Sequence, residues 1–113
     1  MEISNKLSHS VFKNLSQAEL DYLLKIAKIS PFEKNDILIH EGDLGQEIYV
    51  ILDGEVDVSK GGNTTDETIN LATLGPQSVL GEISVITNKP RSATVTATTK
   101  TTALLVNITA IKQ

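Results

Sequence analysis

The spacing of apolar residues changes along the chain at about residue 29. Before that point, apolar residues recur every three or four positions, which predicts one apolar stripe along a helix. The residues of this stripe are Leu20, Leu23, Leu24 and Ala27. The helix is expected to begin after Ser16, because Ser16 and Glu19 have the spacing of a capping box, in which each side chain accepts from the other residue's backbone N–H.

A second, shorter apolar group precedes this helix and predicts another helical turn on the same core. Its members are Leu7, Val11, Phe12 and Leu15. Helical structure is therefore expected over residues 7–28.

From residue 29 onward apolar and polar residues alternate, which is typical of strands with one buried face. The alternating sets are Ile37 and Ile39, Val56 and Val58, Ile69 and Leu71, and Ala93, Val95 and Ala97. Ile48–Leu52 is a continuous apolar run, which predicts a strand buried on both faces. Asp53-Gly54 lies between two such segments and predicts a hairpin. Short strands at this spacing predict a mainly β fold, with one or more N-terminal helices followed by a small antiparallel, jelly-roll-like β-barrel over residues 29–107.

Length and composition are those of one soluble globular domain. The 113 residues are enough for a single core, so residues 1–113 are expected to form one domain, and 40% hydrophobic with 21% charged residues is ordinary for this class. No apolar run reaches the length needed to cross a bilayer, and no secretory signal pattern opens the chain. A cytoplasmic location without membrane contact is the resulting expectation.

The charged residues argue against a nucleic-acid interface. The net charge is −4 and the ten cations are scattered, whereas a nucleic-acid groove needs a dense basic face with aromatic platforms. We therefore expect no direct nucleic-acid binding by this segment. Nine of the cations are lysines and only Arg91 is an arginine. A guanidinium binds phosphate through two parallel hydrogen bonds, so the surroundings of Arg91 become informative.

The chain has few residues that are candidates for catalysis. The two histidines, His9 and His40, lie on different predicted elements, whereas a metal-dependent barrel enzyme needs clustered imidazoles. The chain has no cysteine, and it has no serine arrangement or phosphate-loop motif for nucleophilic or nucleotide chemistry. The sequence predicts a protein that is not an enzyme and that uses no metal or cofactor.

The most informative segment is GEISVITNKPRSATV, at residues 81–95. Gly81 permits a tight turn, the next residues are long enough for one or two helical turns whose free N–H groups attract an anion, and Pro90 ends that helix. Such a loop can bring Glu82 and Arg91 to one pocket. A carboxylate suits a sugar hydroxyl and a guanidinium suits a phosphate. Taken singly, the two residues also suit a helix N-terminal charge and a surface cation.

This segment resembles the phosphate-binding cassette of cyclic-nucleotide-binding domains, the family of catabolite activators and protein kinase A regulatory subunits. The approximate family pattern is G-E-L/I-A/S-L/V-L/I-x-x-x-P-R-A/S/T-A-T-V/I, and it matches without a gap. Other segments similar to the family are FKNLS at 12–16, EGDLG at 41–45, YVILDGEV at 49–56 and LATLGP at 71–76. The resemblance covers about residues 11–107. It implies a regulatory module that binds cyclic AMP or cyclic GMP, with residues 81–95 as the cassette.

The resemblance also implies roles for individual residues. Glu82 would accept from the ribose 2′-hydroxyl, Arg91 would pair with the exocyclic phosphate oxygens, and Ser92 would contact the phosphate or a guanine base. The backbone beside them would complete the anion cradle. The full set of expected ligand-binding residues is Gly81, Glu82, Ile83, Ser84, Arg91 and Ser92. The expected pocket wall, to which Ile83 also contributes, is Val79, Leu80, Val56 and Leu71.

Several alternatives stay open at this point. The chain ends at Gln113, whereas family members continue into two helices that form a hinge and a lid, so the resemblance implies that this lid is missing. Both a fragment of a larger regulator and a stand-alone binding core agree with that, and the output would then be an effector domain or a partner protein. The same fold could also serve another small ligand or act as a protein-interaction scaffold. Relatives of that kind usually lose the glutamate or the arginine that this chain keeps.

Overall fold

The computed structural model of the chain describes residues 15–61 and 68–107. Most of the short helical turn expected from Leu7 to Leu15, including His9, lies outside the described residues. Within the described part, no helix is both long enough and apolar enough to span a membrane.

Helix α1 (Gln17–Ile26) forms where the capping box predicts it. The Ser16 hydroxyl accepts from the Glu19 N–H at 3.1 Å, and the Glu19 carboxylate accepts from the Ser16 N–H at 2.9 Å. Leu23 is fully buried, and the other residues of the predicted stripe pack against the same core while partly exposed. The helix prediction is confirmed, and α1 covers one side of the strand assembly.

Ser16→Ala is expected to lower the free energy of unfolding by about 1 kcal/mol, because the Glu19 N–H then loses its capping acceptor. Urea denaturation of the purified chain measures this difference. Glu19→Gln is the matched control, since a glutamine at this position still accepts from the Ser16 N–H and completes the box. Equal stability of Ser16→Ala and the wild type would contradict the capping role.

The described residues form eight strands and a second short helix, α2 (Glu82–Thr87). The strands are β1 (Lys28–Phe32), β2 (Ile37–Ile39), β3 (Glu47–Asp53), β4 (Val56–Lys60), β5 (Ile69–Leu74), β6 (Val79–Leu80), β7 (Thr94–Ala97) and β8 (Thr101–Asn107). They build two antiparallel four-stranded sheets, in the orders β1-β8-β3-β6 and β2-β7-β4-β5. The mainly β, jelly-roll-like architecture predicted from the alternating pattern is confirmed.

Strand β3 is buried on both faces, as its continuous apolar run predicts. Ile48 and Val50 belong to the apolar cluster that packs against α1 and Leu23. Ile51 belongs to a second cluster between the two sheets, and the ring of Tyr49 packs against it. The core therefore has two parts that share β3 as their common wall.

The hairpin predicted at Asp53-Gly54 is wrong. Gly54 adopts a φ of 98°, as a tight turn requires, but β3 and β4 lie in different sheets and do not pair. The turn passes the chain from one sheet to the other, and β4 pairs instead with β5 and β7. An alanine Cβ at Gly54 would crowd the main-chain oxygen of Lys100 at 2.6 Å, so the glycine also provides room for the neighbouring β7–β8 connection.

The segment 81–93 crosses between the sheets at one end of this assembly. It leaves β6, which pairs with β3 at the edge of the first sheet, and it enters β7, which lies between β2 and β4 in the second sheet. Helix α2 lies within this crossing. The residues that the sequence singled out are therefore anchored at both ends by paired strands.

Candidate functional site

Helix α2 begins and ends at residues in the left-handed region. Gly81 precedes it with a φ of 85°, and Asn88 follows it with a φ of 57°. The Lys89 N–H donates to the Ser84 carbonyl at 3.0 Å and closes the C-terminal turn. The helix is six residues long, which agrees with the one or two turns expected from the sequence. The N–H groups of its first turn have no acceptor within the helix.

Arg91 is buried, with only 6% of its surface exposed. Its main chain is held by the loop between β2 and β3: the Arg91 N–H donates to the Asp43 carbonyl, and the Gly42 N–H donates to the Arg91 carbonyl, both at 2.8 Å. A surface cation, which was the ordinary alternative for this residue, is therefore excluded. The backbone at Arg91 has a fixed position relative to both the cassette and the β2–β3 loop.

Three neutral acceptors orient the Arg91 guanidinium. Nη1 donates to the Gly81 carbonyl at 3.0 Å and to the Ser84 hydroxyl at 2.9 Å. Nη2 donates to the Glu47 carbonyl at 2.8 Å. Carbonyl and hydroxyl oxygens fix the direction of the cation but carry no formal charge. A buried charge with such partners is favourable to an anionic ligand, which would supply the opposite charge.

A pocket of about 460 Å³, including its open mouth, lies beside this guanidinium. Its polar part is formed by the cassette residues Gly81, Glu82, Ser84, Arg91 and Ser92. Its apolar part is formed by Ile39, Val58, Leu80, Ile83, Ala93 and Val95. The lining thus offers a carboxylate and a guanidinium together with hydrocarbon surface. This combination suits a ligand with an anionic, hydroxylated part and a flat apolar part.

All six residues predicted to bind a ligand line this one pocket. Ile83 does so with a largely exposed side chain, at 70% of its surface, and Glu82 is half-buried. The helix and Pro90 bring Glu82 and Arg91 together across nine residues, as the sequence predicted.

The predicted pocket wall fits the structure only in part. Leu80 lines the pocket, but the other three residues do not. Val56 is fully buried between the sheets, Val79 packs toward α1, and Leu71 is 55% exposed on the edge strand β5. The wall residues that the sequence reasoning missed are Ile39, Val58, Ala93 and Val95. The alternation of side chains along a strand could have identified Val58 as a wall residue, because Val58 faces the same side of β4 as Val56 and lies two residues nearer the pocket.

Tyr49 is a titratable group close to Arg91 on the side of β3. Burial raises the pKa of its phenol above the usual value, the charge of Glu47 raises it further, and Arg91 opposes both effects. The phenol is therefore protonated at neutral pH and supplies no negative charge to the guanidinium. His40 follows β2 as an exposed residue beside a turn. Among the described residues, no group of three histidine, aspartate or glutamate side chains is placed to hold a metal ion.

Comparison with solved structures relates this geometry to known proteins. The cAMP-bound PfPKA-R (141-441) superimposes with a TM-score of 0.88 at 30% identity, and the match covers 97% of this chain and 39% of that one. A regulatory subunit of a cAMP-independent protein kinase A from Trypanosoma brucei superimposes with a TM-score of 0.77 at 25% identity, over 95% of this chain and 39% of that one.

Sequence comparison gives the same relationship. A cGMP-dependent protein kinase from Plasmodium berghei (strain Anka) is 32% identical over 88 residues, which are 78% of this chain but only 10% of the kinase. The family model for the cyclic nucleotide-binding domain matches residues 29–113, from the first strand through the cassette and beyond it. With the cassette residues gathered in one pocket of the matching fold, the chain belongs to the cyclic nucleotide-binding domain family.

Proposed function

We propose that this chain binds a cyclic nucleotide monophosphate, cyclic AMP or cyclic GMP, in the pocket beside Arg91. The observation that carries the proposal is the buried Arg91 guanidinium, which neutral acceptors hold beside a pocket with both polar and apolar lining. The related Plasmodium kinase is named for dependence on cGMP, and the similar PfPKA-R structure contains cAMP. Both support a cyclic nucleotide as the ligand.

The residue roles follow from the chemistry of the two parts of the ligand. Arg91 pairs with the exocyclic oxygens of the cyclic phosphate, and Glu82 accepts from the ribose 2′-hydroxyl. The N–H groups of Ile83 and Ser84 belong to the first turn of α2, where helical N–H groups have no intrahelical partner, and they add to the anion cradle with Gly81. Ser92, exposed beside Arg91, contacts the phosphate or the base.

The purine base is assigned to the apolar part of the pocket. Val58 and Ile39 supply hydrocarbon surface from β4 and β2, and Ile83 does so from α2. Contact with these side chains removes apolar surface from water but offers few groups that distinguish adenine from guanine. The hydroxyl of Ser92 is compatible with either base. We therefore propose a binding module that accepts both nucleotides with modest preference.

The module is further proposed to be regulatory and cytoplasmic, and to bind its ligand without catalysis. Its output would pass to an effector domain or a partner protein. The related Plasmodium protein is named a cGMP-dependent protein kinase, which supports such a link between a cyclic nucleotide and an effector. No direct contact with nucleic acid or membrane is proposed for this segment.

A second candidate keeps the fold and changes the ligand. The similar structure from Trypanosoma brucei is a regulatory subunit of a cAMP-independent protein kinase A, and that name supports another small ligand or a protein-scaffold role as the alternative. The presence of Glu82 and Arg91 in one pocket favours the cyclic nucleotide, because those two groups match its ribose and its phosphate.

Binding without turnover is the expected result when the chain meets either cyclic nucleotide. Calorimetric titrations with cyclic AMP and cyclic GMP, side by side, should show saturable binding to one site. Chromatography of the mixture after long incubation should return the nucleotide unchanged, because the site has donors and a carboxylate but no activated nucleophile.

Two outcomes would count against this view. Failure of both nucleotides to bind would favour the alternative ligand or the scaffold. A linear monophosphate that accumulates in proportion to the protein concentration, in metal-free buffer, would show that the pocket catalyses hydrolysis.

A further inference from the structure

Two glycines from distant segments lie against the Arg91 guanidinium. A Cβ atom added at Gly45, in the loop between β2 and β3, would overlap Nη2 and lie only 2.8 Å from Nε and 2.9 Å from Cζ. A Cβ atom added at Gly81, before α2, would overlap Nη1 and lie 3.3 Å from Cζ. The guanidinium is thus packed between two stretches of main chain that bear no side chain at the point of contact.

Backbone conformation explains Gly81 but not Gly45. Gly81 has a φ of 85°, a region that residues with a side chain rarely adopt. Among the glycines that the structure describes, those with positive φ are Gly42, Gly54 and Gly81, and Gly45 is not one of them. An alanine at position 45 is therefore compatible with its backbone. The space that the guanidinium occupies is the physical reason for a glycine there.

Ser84 holds the same guanidinium from the cassette side. Its hydroxyl accepts from Arg91 Nη1 at 2.9 Å and donates to the Gly81 carbonyl at 3.1 Å, and the residue is buried. The carbonyl that receives this hydroxyl also accepts from Nη1. Ser84, Gly81 and Nη1 therefore form a closed triangle of hydrogen bonds, which fixes one end of the cation.

We propose that Gly45 and Ser84 are positioning residues, which hold the Arg91 guanidinium in the orientation that receives an anionic phosphate before the ligand arrives. The inference rests on the proposed function. The bonds to Gly81, Ser84 and Glu47 use both Nη1 hydrogens and one Nη2 hydrogen. The Nε–H and the second Nη2 hydrogen take part in none of these three bonds. An arginine held beforehand loses less side-chain freedom on binding, which raises affinity.

Gly45→Ala is expected to weaken cyclic nucleotide binding by about tenfold or more, because the added methyl displaces the guanidinium and its charge-assisted contact with the phosphate. The guanidinium is the group that yields, since it is the far end of a flexible side chain. Gly61→Ala is the matched control: Gly61 is exposed, its φ is not positive, and nothing lies within 4 Å of the added Cβ. The control variant should bind as the wild type does.

Ser84→Ala is expected to weaken binding by about two- to tenfold, because Nη1 keeps the Gly81 carbonyl but loses its second acceptor. The smaller effect is itself part of the proposal. Gly45→Ala displaces the guanidinium, whereas Ser84→Ala removes one of its hydrogen bonds and leaves it in place.

A cycle with Arg91→Ala separates positioning from a general structural effect. In the Arg91→Ala background there is no guanidinium to displace, so Gly45→Ala should cause no further loss of affinity. The preference for cyclic AMP over its 2′-deoxy analogue should remain in Gly45→Ala, because Glu82 and not Arg91 is assigned to that hydroxyl. A Gly45→Ala loss of equal size in both backgrounds would overturn the positioning role.

Thermal unfolding of the same four proteins keeps the test independent of the ligand. Gly45→Ala should lower the Tm of the wild type and leave the Tm of Arg91→Ala unchanged, since the overlap exists only when the guanidinium is present. If the wild type binds neither cyclic nucleotide, the proposed function fails while these Tm values still test the packing. If the wild type binds but Gly45→Ala and Ser84→Ala bind equally well, the proposed function stands and the positioning of Arg91 is refuted. Equal Tm losses in both backgrounds would also refute it.

Discussion

Arg91→Ala is expected to reduce the affinity for cyclic AMP and cyclic GMP by about ten- to 150-fold, which corresponds to about 1.5–3 kcal/mol for a charge-assisted contact. The variant loses the cation that faces the phosphate, and the anion would then be buried beside neutral oxygens of Gly81, Ser84 and Glu47. Without the guanidinium between them, the partial negative charges of those oxygens repel the phosphate. Calorimetry with both nucleotides measures the loss.

Arg91→Lys tests whether shape or charge matters more. An ammonium keeps the charge but cannot reach acceptors on two sides as the Nη1 and Nη2 groups do, so it should recover only part of the affinity. Lys89→Ala is the matched control, because it removes a cation two residues away that is exposed and does not line the pocket. Its affinity should equal that of the wild type.

The Arg91 assignment requires that the variants fold. Arg91 is buried, so far-ultraviolet circular dichroism and the Tm of each variant should be recorded beside its affinity. A folded Arg91→Ala protein that binds cyclic nucleotide as tightly as the wild type would refute the role of Arg91. A loss that is equally large in Lys89→Ala would point to long-range charge and not to a direct contact.

Local patterns in the sequence predicted the elements of the fold well. The capping box of Ser16 and Glu19 fixed where α1 begins, because both of its hydrogen bonds are local. The continuous run in β3 predicted burial on two faces, which the two apolar clusters confirm. The chain does bend at Asp53-Gly54, where Gly54 has a positive φ, but the strands on either side pair elsewhere. A turn sequence determines how the chain reverses locally, whereas strand partners depend on residues far away in the chain.

The polar side of the site was predictable for a similar reason. The six cassette residues lie within twelve positions of each other, so one short helix and a proline are enough to gather them. The apolar side was less predictable, because Ile39 and Val58 come from two other strands and depend on the register of the second sheet. Gly45 carried no sequence signal for its contact. Only the position of the Arg91 side chain reveals why a glycine stands there.

The second large effect on binding is expected from recognition of the ribose, because Glu82 is proposed to accept from the ribose 2′-hydroxyl. Wild-type protein should prefer cyclic AMP over 2′-deoxy cyclic AMP by about tenfold or more, which is the size expected for a hydrogen bond to a charged acceptor. In Glu82→Ala the preference should fall to about twofold or less, because the acceptor that reads the hydroxyl has been removed. Glu82→Gln keeps an acceptor oxygen without the charge and should give an intermediate value.

The four affinities, of two proteins for two ligands, form a cycle whose coupling isolates the contact between carboxylate and hydroxyl. General damage to the pocket lowers both affinities of Glu82→Ala together and cancels in the coupling, so the cycle reports on this contact even if the variant binds weakly. Glu33→Ala serves as the control, because it removes an exposed carboxylate on the β1–β2 turn, and its preference should match the wild type. Glu82 lies in the same pocket as Arg91. Only this coupling therefore distinguishes a Glu82 that hydrogen-bonds the ribose 2′-hydroxyl from a Glu82 that only lies near the phosphate. A coupling of zero would assign the 2′-hydroxyl to another group and leave Glu82 as a charge at the start of α2.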